Sequence, residues 1–443
     1  MSLVTPPTTV QKLQEALHAK AKAAPAFRFY SLYDKLSRDD VLCYAYLCCA
    51  ANAGAAGVDG QTFADIQAYG VGRWLDELTN ELRTKTYRPA AVRRVTIPKP
   101  DGKLRPLGIP TIKDRVVQMA ALVVLEPIFE ADLQEEQYAY RPGRSALNAL
   151  AQVQALLDSG HRQVVDADLS GYFDSIPHGP LLKSVSRRIS DGQLLTLIKQ
   201  WLEAPVEETD DRGRTHRTTR NRDAHRGTPQ GGVLSPLLAN LYMRRFVLGW
   251  KVLGHEQRLD AHLVNYADDF VICCRGGAEA AMTAMRAMMA KLGLTVNEAK
   301  TRLCRVPDES FDFLGYTIGR NYSLKSGRSY IGPRPSAKKV KALLAEISAQ
   351  TSRSWVWLDE AVLVGRLNRM LRGWATYFSQ GQVREAYQRV QAHTCWRLRQ
   401  WLGKKHRVQR ARRSRYSLSY LRDELGLVWL SALRFPRVLW AKA

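Results

Sequence analysis

Tyr266-Ala267-Asp268-Asp269 places two neighbouring carboxylates between two apolar, β-prone runs, Leu263-Val264 before and Phe270-Val271-Ile272-Cys273-Cys274 after. The pattern predicts a strand, a tight turn and a second strand, with both acids at the tip. Adjacent carboxylates repel unless a cation stands between them, and a divalent metal serving phosphoryl transfer is a common answer. On these four residues alone, a polar hairpin turn without chemistry is the alternative. Upstream, Val164-Val165-Asp166-Ala167-Asp168-Leu169 reads as a buried strand ending in an acid, followed by Ser170-Gly171-Tyr172-Phe173-Asp174. A carboxylate delivered there, beside the hairpin, would complete a three-carboxylate cage for two cations about 3.5–4 Å apart. Asp166, Asp168 and Asp174 are all candidates. Asp168 fits best, because it follows the β-branched run in the right alternation and stands at a fixed distance before the aromatic pair. Asp166 would then be structural or supporting, and Asp174 a helix cap.

The elements that must position these acids are legible in outline. Residues 1–80 read as helical, interrupted by Gly54-Ala55-Ala56-Gly57-Val58-Asp59-Gly60, and 81–330 alternate short β-branched and helical runs, as in an α+β body. Pro333 and Pro335 punctuate the chain, Ser336 is placed to cap a helix, and Val340, Leu343, Leu344 and Ile347 then recur at helical spacing. Leu363, Leu367, Met370, Leu371, Trp374, Tyr377 and Phe378 repeat the pattern, so 331–443 reads as an all-helical module. Charge separates the two parts. The 443 residues carry a net charge of +24, and from Ile331 onward 23 Lys and Arg stand against 6 Asp and Glu, net +17. Such an excess points to a polyanionic partner, RNA or DNA. Seven cysteines without a C-x₂-C pair suggest reduced core thiols, and no apolar run is long enough to span a bilayer; a cytoplasmic protein without a membrane partner is expected.

The chain resembles reverse transcriptases, specifically the bacterial group II intron-encoded reverse transcriptase/maturase proteins. Ile97-Pro98-Lys99-Pro100-Asp101-Gly102-Lys103-Leu104-Arg105-Pro106-Leu107-Gly108-Ile109-Pro110 looks like their fingers block, and Tyr140-Arg141-Pro142-Gly143-Arg144-Ser145 the next. Asp168 to Phe173, Gly227-Thr228-Pro229-Gln230-Gly231-Gly232-Val233-Leu234-Ser235-Pro236 and Tyr266 to Asp269 resemble the palm motifs, in order. Leu292-Gly293-Leu294 with Lys300-Thr301, and Phe313-Leu314-Gly315-Tyr316, resemble the two blocks that follow. Gly54 to Gly60 is similar to the N-terminal extension motif, and Leu367-Asn368 with Leu371 to Phe378 to the core of the maturase, or thumb, domain. No cysteine follows Cys395, so the zinc-stabilised HNH endonuclease of some members is not expected here.

The resemblance implies a right-hand polymerase fold: fingers and palm with an antiparallel sheet, and a basic helical thumb. It implies that Asp168 and Asp268 hold two Mg²⁺ ions, with Asp269 more peripheral. Phe173 would pack under the sugar and exclude a 2′-hydroxyl, a core aromatic being the alternative. Lys99 and Arg105, with Lys103 in support, would clamp the triphosphate of incoming dNTPs, and Gln230 would contact the nucleotide; a solvated hairpin tip is the alternative for the three cations. Lys300 would donate to the leaving pyrophosphate or be a surface lysine. Lys338, Lys339 and Arg366 on the thumb helices, and Arg407, Arg410, Arg412, Arg413 and Arg415 beyond them, would meet RNA phosphates, unless the last five form a basic tail without a defined site. Trp374, Tyr377 and Phe378 read as helix-packing residues. The implied activity is RNA-directed DNA synthesis on group II intron RNA from a DNA primer at a target DNA, with assistance to splicing. The alternatives are a non-enzymatic splicing cofactor and a free-standing defence or repair reverse transcriptase.

Overall fold

In the computed structural model, which describes residues 4–98, 104–210, 213–229, 231–323, 326–408 and 412–435, the β-branched runs become strands of three sheets. In chain order these are β1 (Val92–Pro98), β2 (Leu104–Ile109), β3 (Gln163–Asp168), β4 (Val206–Thr209), β5 (Thr215–Thr218), β6 (Ala261–Tyr266), β7 (Asp269–Cys274), β8 (Arg302–Arg305), β9 (Phe311–Phe313), β10 (Tyr316–Tyr322) and β11 (Ser329–Pro335). The fingers sheet runs β2-β1-β4-β5 and the palm sheet β6-β7-β3-β8; a third runs β11-β10-β9. Every pair in the palm sheet is antiparallel.

The unbroken apolar run in β7 has a packing cause. Phe270, Ile272 and Cys274 join a core with the helices Ser235–Val252 and Ala278–Lys291, while Val271 and Cys273 join a second core with the helix Ala146–Asp158. Alternate residues point to opposite faces, so a strand covered on both faces needs apolar residues throughout. Each fully buried side chain of this kind contributes roughly 1.5–3 kcal/mol. The cysteines are free, and six of the seven are buried.

The N-terminal helices Thr8–Ala23 and Asp39–Ala51 have no core of their own. Val10, Leu17, Val41 and Leu42 join one cluster with Val116, Val117 and Ala120 of the helix Ile112–Glu130. The buried Arg188 guanidinium ties the same region down, donating to the carbonyls of Ala21 at 2.6 Å, Ala24 at 3.0 Å and Pro25. The Gly54–Gly60 loop lies against the junction of fingers and that helix. A Cβ on Gly57 would come within 2.6 Å of Thr111 Cα, so only glycine allows this approach.

Residues from Ala337 onward form a helical unit with a separate core, built from the helices Ala337–Gln350, Glu360–Tyr377 and Arg384–Lys405. Ser336 Oγ accepts the Lys339 N–H and caps the first of them, as its position predicts. The expected division at residue 330 falls inside β11, and the helices begin once that strand has ended. The segment after Lys404, as far as it is described, belongs to this unit: Tyr416, Leu421, Leu427 and Leu430 are buried in its core. Asn368 clamps it, donating to Gly426 O and accepting from Val428 N, both at 2.8 Å. The unit meets the palm through aromatic rings. Tyr377 Oη donates to Leu314 O at 2.8 Å, Tyr316 Oη donates to Tyr377 O at 2.5 Å, and Phe378 sits between Tyr316 and Trp374 with centroids 5.0 and 4.8 Å away. These aromatics pack, as their helical spacing predicts. Among the described residues no helix is long and apolar enough to cross a membrane.

Candidate active site

The palm hairpin is closed by a two-residue turn. Tyr266 pairs with Asp269, leaving Ala267 and Asp268 between them, and Ala267 takes a left-handed φ of 58°. That conformation costs an L-residue energy. The fully buried Asn265 offsets it by donating its side-chain N–H to Ala267 O at 2.9 Å. Across the sheet, β3 and β7 pair in a register that sets Asp168 directly opposite Asp269. Strand pairing alone therefore gathers Asp168, Asp268 and Asp269 at one end of the sheet, where directly opposed like charges are unfavourable.

The electrostatics follow from that crowding. Burial of the Asp269 carboxyl group, then repulsion from Asp268 and Asp168, raises its pKa to about 7, with Asp168 close enough to share a proton. The side chain still opens to solvent, so a cation can reach it. One cation is supplied by the protein. Lys300 Nζ donates to Asp168 Oδ2 at 3.0 Å, and this bond, with the nearby charges of Asp168, Asp269 and Asp268, raises the lysine's pKa. Asn297 donates its side-chain N–H to the same oxygen at 2.9 Å and its backbone N–H to Asp168 O at 2.8 Å. Three carboxylates and no nitrogen or sulfur ligand form a hard-oxygen donor set that fits Mg²⁺. The raised Asp269 carboxyl group and the ammonium bonded to Asp168 are both consistent with an end of the sheet that calls for positive charge.

The other acids separate from this cluster. Asp166 stands opposite Arg302 on β8, whose Nε lies 3.6 Å away; burial raises its pKa to about 6 in spite of that cation. Asp174 lies within the short helix Tyr172–Ser175 and is exposed, and the next helix, His178–Ser186, has no side-chain cap, so the capping role expected for Asp174 is not found. Its pKa is raised by burial of the carboxyl group, against Arg94 and Arg220.

Phe173 is partly buried on the same short helix, its ring edge-on to Tyr172 at 5.8 Å. Its carbonyl accepts the Thr228 N–H at 2.7 Å, which brings the 227–236 loop to this side of the palm. Gly231 in that loop, at φ 110°, lies so close to β2 that a Cβ would meet Gly108 O at 2.3 Å. The loop is therefore wedged against the fingers. Lys99, Lys103 and Gln230 lie outside the described residues, as does the side chain of Arg105, whose backbone pairs with Ile97.

On the helical unit Lys338 and Lys339 are exposed, and the Arg366 guanidinium lies over the Trp355 ring at 5.4 Å. Arg407 is exposed just past the third helix, and Arg415 lies 6.0 Å from the Tyr416 ring. Arg410 and the side chains of Arg412 and Arg413 fall outside the described residues. The unit reaches the hairpin at Tyr377, whose phenol is pushed up to about 12 by burial and then by Tyr266 and Asp269. Two supporting residues, Asn265 and Asn297, escape the sequence reading. The faint signal for each is an amide beside a motif acid or lysine, inside a strand or turn.

Comparison with known proteins agrees with this geometry. Residues 97–318 match the family described as reverse transcriptase (RNA-dependent DNA polymerase), and residues 340–418 the group II intron, maturase-specific domain. The chain is 33% identical to protein YkfC of Escherichia coli (strain K12) over 367 residues, covering 74% of this chain and 93% of that protein. It is 35% identical over 229 residues to the group II intron-encoded protein LtrA of Lactococcus lactis subsp. cremoris, covering 51% of this chain and 36% of LtrA. The chain belongs to the reverse transcriptases that carry a group II intron maturase domain.

Proposed function

We propose that this RNA-dependent DNA polymerase copies group II intron RNA into cDNA from a DNA primer at a target DNA, and binds that RNA to assist splicing and mobility. The carrying observation is that one chain holds both a palm sheet ending in three carboxylates and a basic helical unit that matches the maturase domain, the unit meeting β10 through the Tyr316–Tyr377 contact. Asp168 and Asp268, with Asp269 peripheral, would hold two Mg²⁺ ions, whose charge would favour ionisation of the primer 3′-hydroxyl and departure of pyrophosphate. Lys300 would donate to that pyrophosphate, a reading supported by its bond to Asp168. Lys99, Arg105 and Gln230 would grip the nucleotide; an arginine fork matches phosphate oxygens well. Free thiols throughout suit a reducing cytoplasm.

The test is the double change Asp268→Ala and Asp269→Ala. Primer extension on an RNA template should fall by about 10³-fold or more, because the ions lose their seat. Binding to intron RNA should persist, since removing acids does not weaken attraction to phosphate. Retained cDNA synthesis overturns the catalytic assignment, and undetectable affinity of the wild type for any intron RNA overturns the maturase assignment.

A further inference from the structure

At the end of the palm sheet away from the carboxylates, where β3 and β6 begin, His161, Asp260 and His262 meet. His161 Nε2 lies 3.0 Å from Asp260 Oδ1, and His262 Nε2 lies 3.5 Å from the same oxygen. The rings stand edge to face with centroids 4.8 Å apart. Among the described residues this is the one group of three His, Cys, Asp or Glu side chains whose ligand atoms all fall within 4.8 Å of one another.

The remaining ring nitrogens are committed. Ser159 Oγ donates to Leu156 O at 2.8 Å, so its 2.9 Å contact with His161 Nδ1 must accept a proton from the ring. Glu256 Oε1 accepts from His262 Nδ1–H at 3.0 Å. With both Nδ1 atoms protonated, neutral rings direct two Nε2 lone pairs at one carboxylate oxygen. Three acceptors then face one another, and a cation, either a proton or a metal ion, must stand among them.

We infer that His161 Nε2, His262 Nε2 and Asp260 Oδ1 form a site for a borderline divalent cation, Zn²⁺ foremost, with water as the fourth ligand. Ligands about 2.0–2.1 Å from a tetrahedral Zn²⁺ stand roughly 3.3 Å apart, and the two distances to Asp260 bracket that value. Imidazole nitrogen favours Zn²⁺ over Mg²⁺, so this end of the sheet and the carboxylate end select different metals. Ser159 and Glu256 hold the rings as outer partners of metal-bound histidines do, fixing tautomer and orientation. Arg275 Nε lies 3.4 Å from Asp260 Oδ2, the other oxygen, and leaves Oδ1 to the ion. His161 is buried while Asp260 and His262 are open enough to admit it. A bound ion would tie the loop before β3 to the entry of β6, fastening the end of the sheet whose opposite end carries Asp168 and Asp269.

The test uses the full chain, stripped with chelator and titrated with Zn²⁺ in excess Mg²⁺. One Zn²⁺ per chain should bind and raise the melting temperature, and Co²⁺ in its place should give the visible absorption of a four-coordinate ion. His262→Gln should abolish this binding. Glu256→Gln and Ser159→Ala, which leave all three ligands in place, should weaken it by about 10- to 100-fold. Absence of stoichiometric Zn²⁺ binding by the folded wild type overturns the site. So does a folded His161→Gln or His262→Gln variant that binds as the wild type does, which would place the ion elsewhere, for instance on the exposed Cys43. Should the histidine variants not fold, the wild-type Co²⁺ spectrum and the Glu256→Gln affinity decide.

Discussion

At the tip of the palm sheet strand register packs three carboxylates beside Lys300, whereas on the helical unit Lys338, Lys339, Arg369 and Arg372 are spread over exposed surfaces. At the tip the backbone forces the charges together: Asp168 faces Asp269 across the ladder, Asp268 is one residue away, and Asp269 is raised to about 7. On the helical unit Lys338, Lys339, Arg369 and Arg372 project from helices whose inner faces bury Val340, Leu343, Leu367 and Leu371. Concentrated repulsion gives a bound cation large leverage, so one acid can decide activity. Dispersed solvated charges each displace about one counterion and act additively. The first region should respond to mutation as a switch and the second as a dial.

The widest test of the dial is to replace Arg407, Arg410, Arg412, Arg413 and Arg415 with Gln. If each displaces one counterion, the slope of log K against log[salt] falls by roughly 0.7 per residue on single strands, about 3.5 for all five. Polymerisation on a saturating primer–template should change far less, because the carboxylates lie in another element. Affinity measured at several salt concentrations gives the slope. An unchanged slope shows that these arginines are only solvated, and moves attention to Lys338 and Arg366.

What the sequence reveals divides along the same lines. The hairpin, the strand ending at Asp168 and the apolar stripes of the helices are local patterns with period 2 or 3.6, and they stand where the sequence predicts them. The maturase motif marked the helix Glu360–Tyr377, although not its role as the joint to β10. What stayed hidden depends on tertiary proximity. Asn297 meets Asp168 from 129 residues away, and Asn368 holds Gly426 from 58 residues away. The segment after Lys404 reads from its clustered arginines as a surface for RNA phosphates, with a basic tail as the alternative, and neither reading includes a packed core. Its buried residues Tyr416, Leu421, Leu427 and Leu430 have no regular period, so their packing could not be read. The N-terminal helices are legible as helices, but the covering of their apolar faces by the helix Ile112–Glu130 is not.

Phe173 sharpens the comparison, because it stands beside the switch without carrying charge. Its partly buried ring and its five-residue spacing from Asp168 suit a sugar selector. Phe173→Ala should raise ribonucleotide relative to deoxyribonucleotide incorporation by about 10- to 100-fold in the ratio of kcat/KM, the scale at which a pocket senses a small group. The ratio for the two substrates, measured on the same primer–template, isolates selection from general loss of activity. An unchanged ratio in an active variant would make the ring a packing residue alone.

The smallest effect asks whether a raised carboxyl pKa by itself marks the switch. Glu126, within the helix Ile112–Glu130, is also raised to about 7, chiefly by burial and then by Glu130. Glu130 has its own partner, Arg141 Nη2 at 2.6 Å, and no acid is set opposite Glu126 by a strand register. The sign of its contribution is fixed by linkage. A glutamate near 4.3 when unfolded and about 7 when folded keeps its proton longer in the folded state, so stability falls as pH rises between those values. Glu126→Gln should match the wild type below pH 4 and exceed it above pH 7 by about 1–2 kcal/mol, a figure discounted for water reaching the carboxyl group. Primer extension should be unaffected. Urea unfolding at several pH values gives the comparison. Parallel stability curves for variant and wild type would mean that Glu126 ionises in the fold without cost, and the raised value at Asp269 would then be the mark of the strand register that opposes it to Asp168.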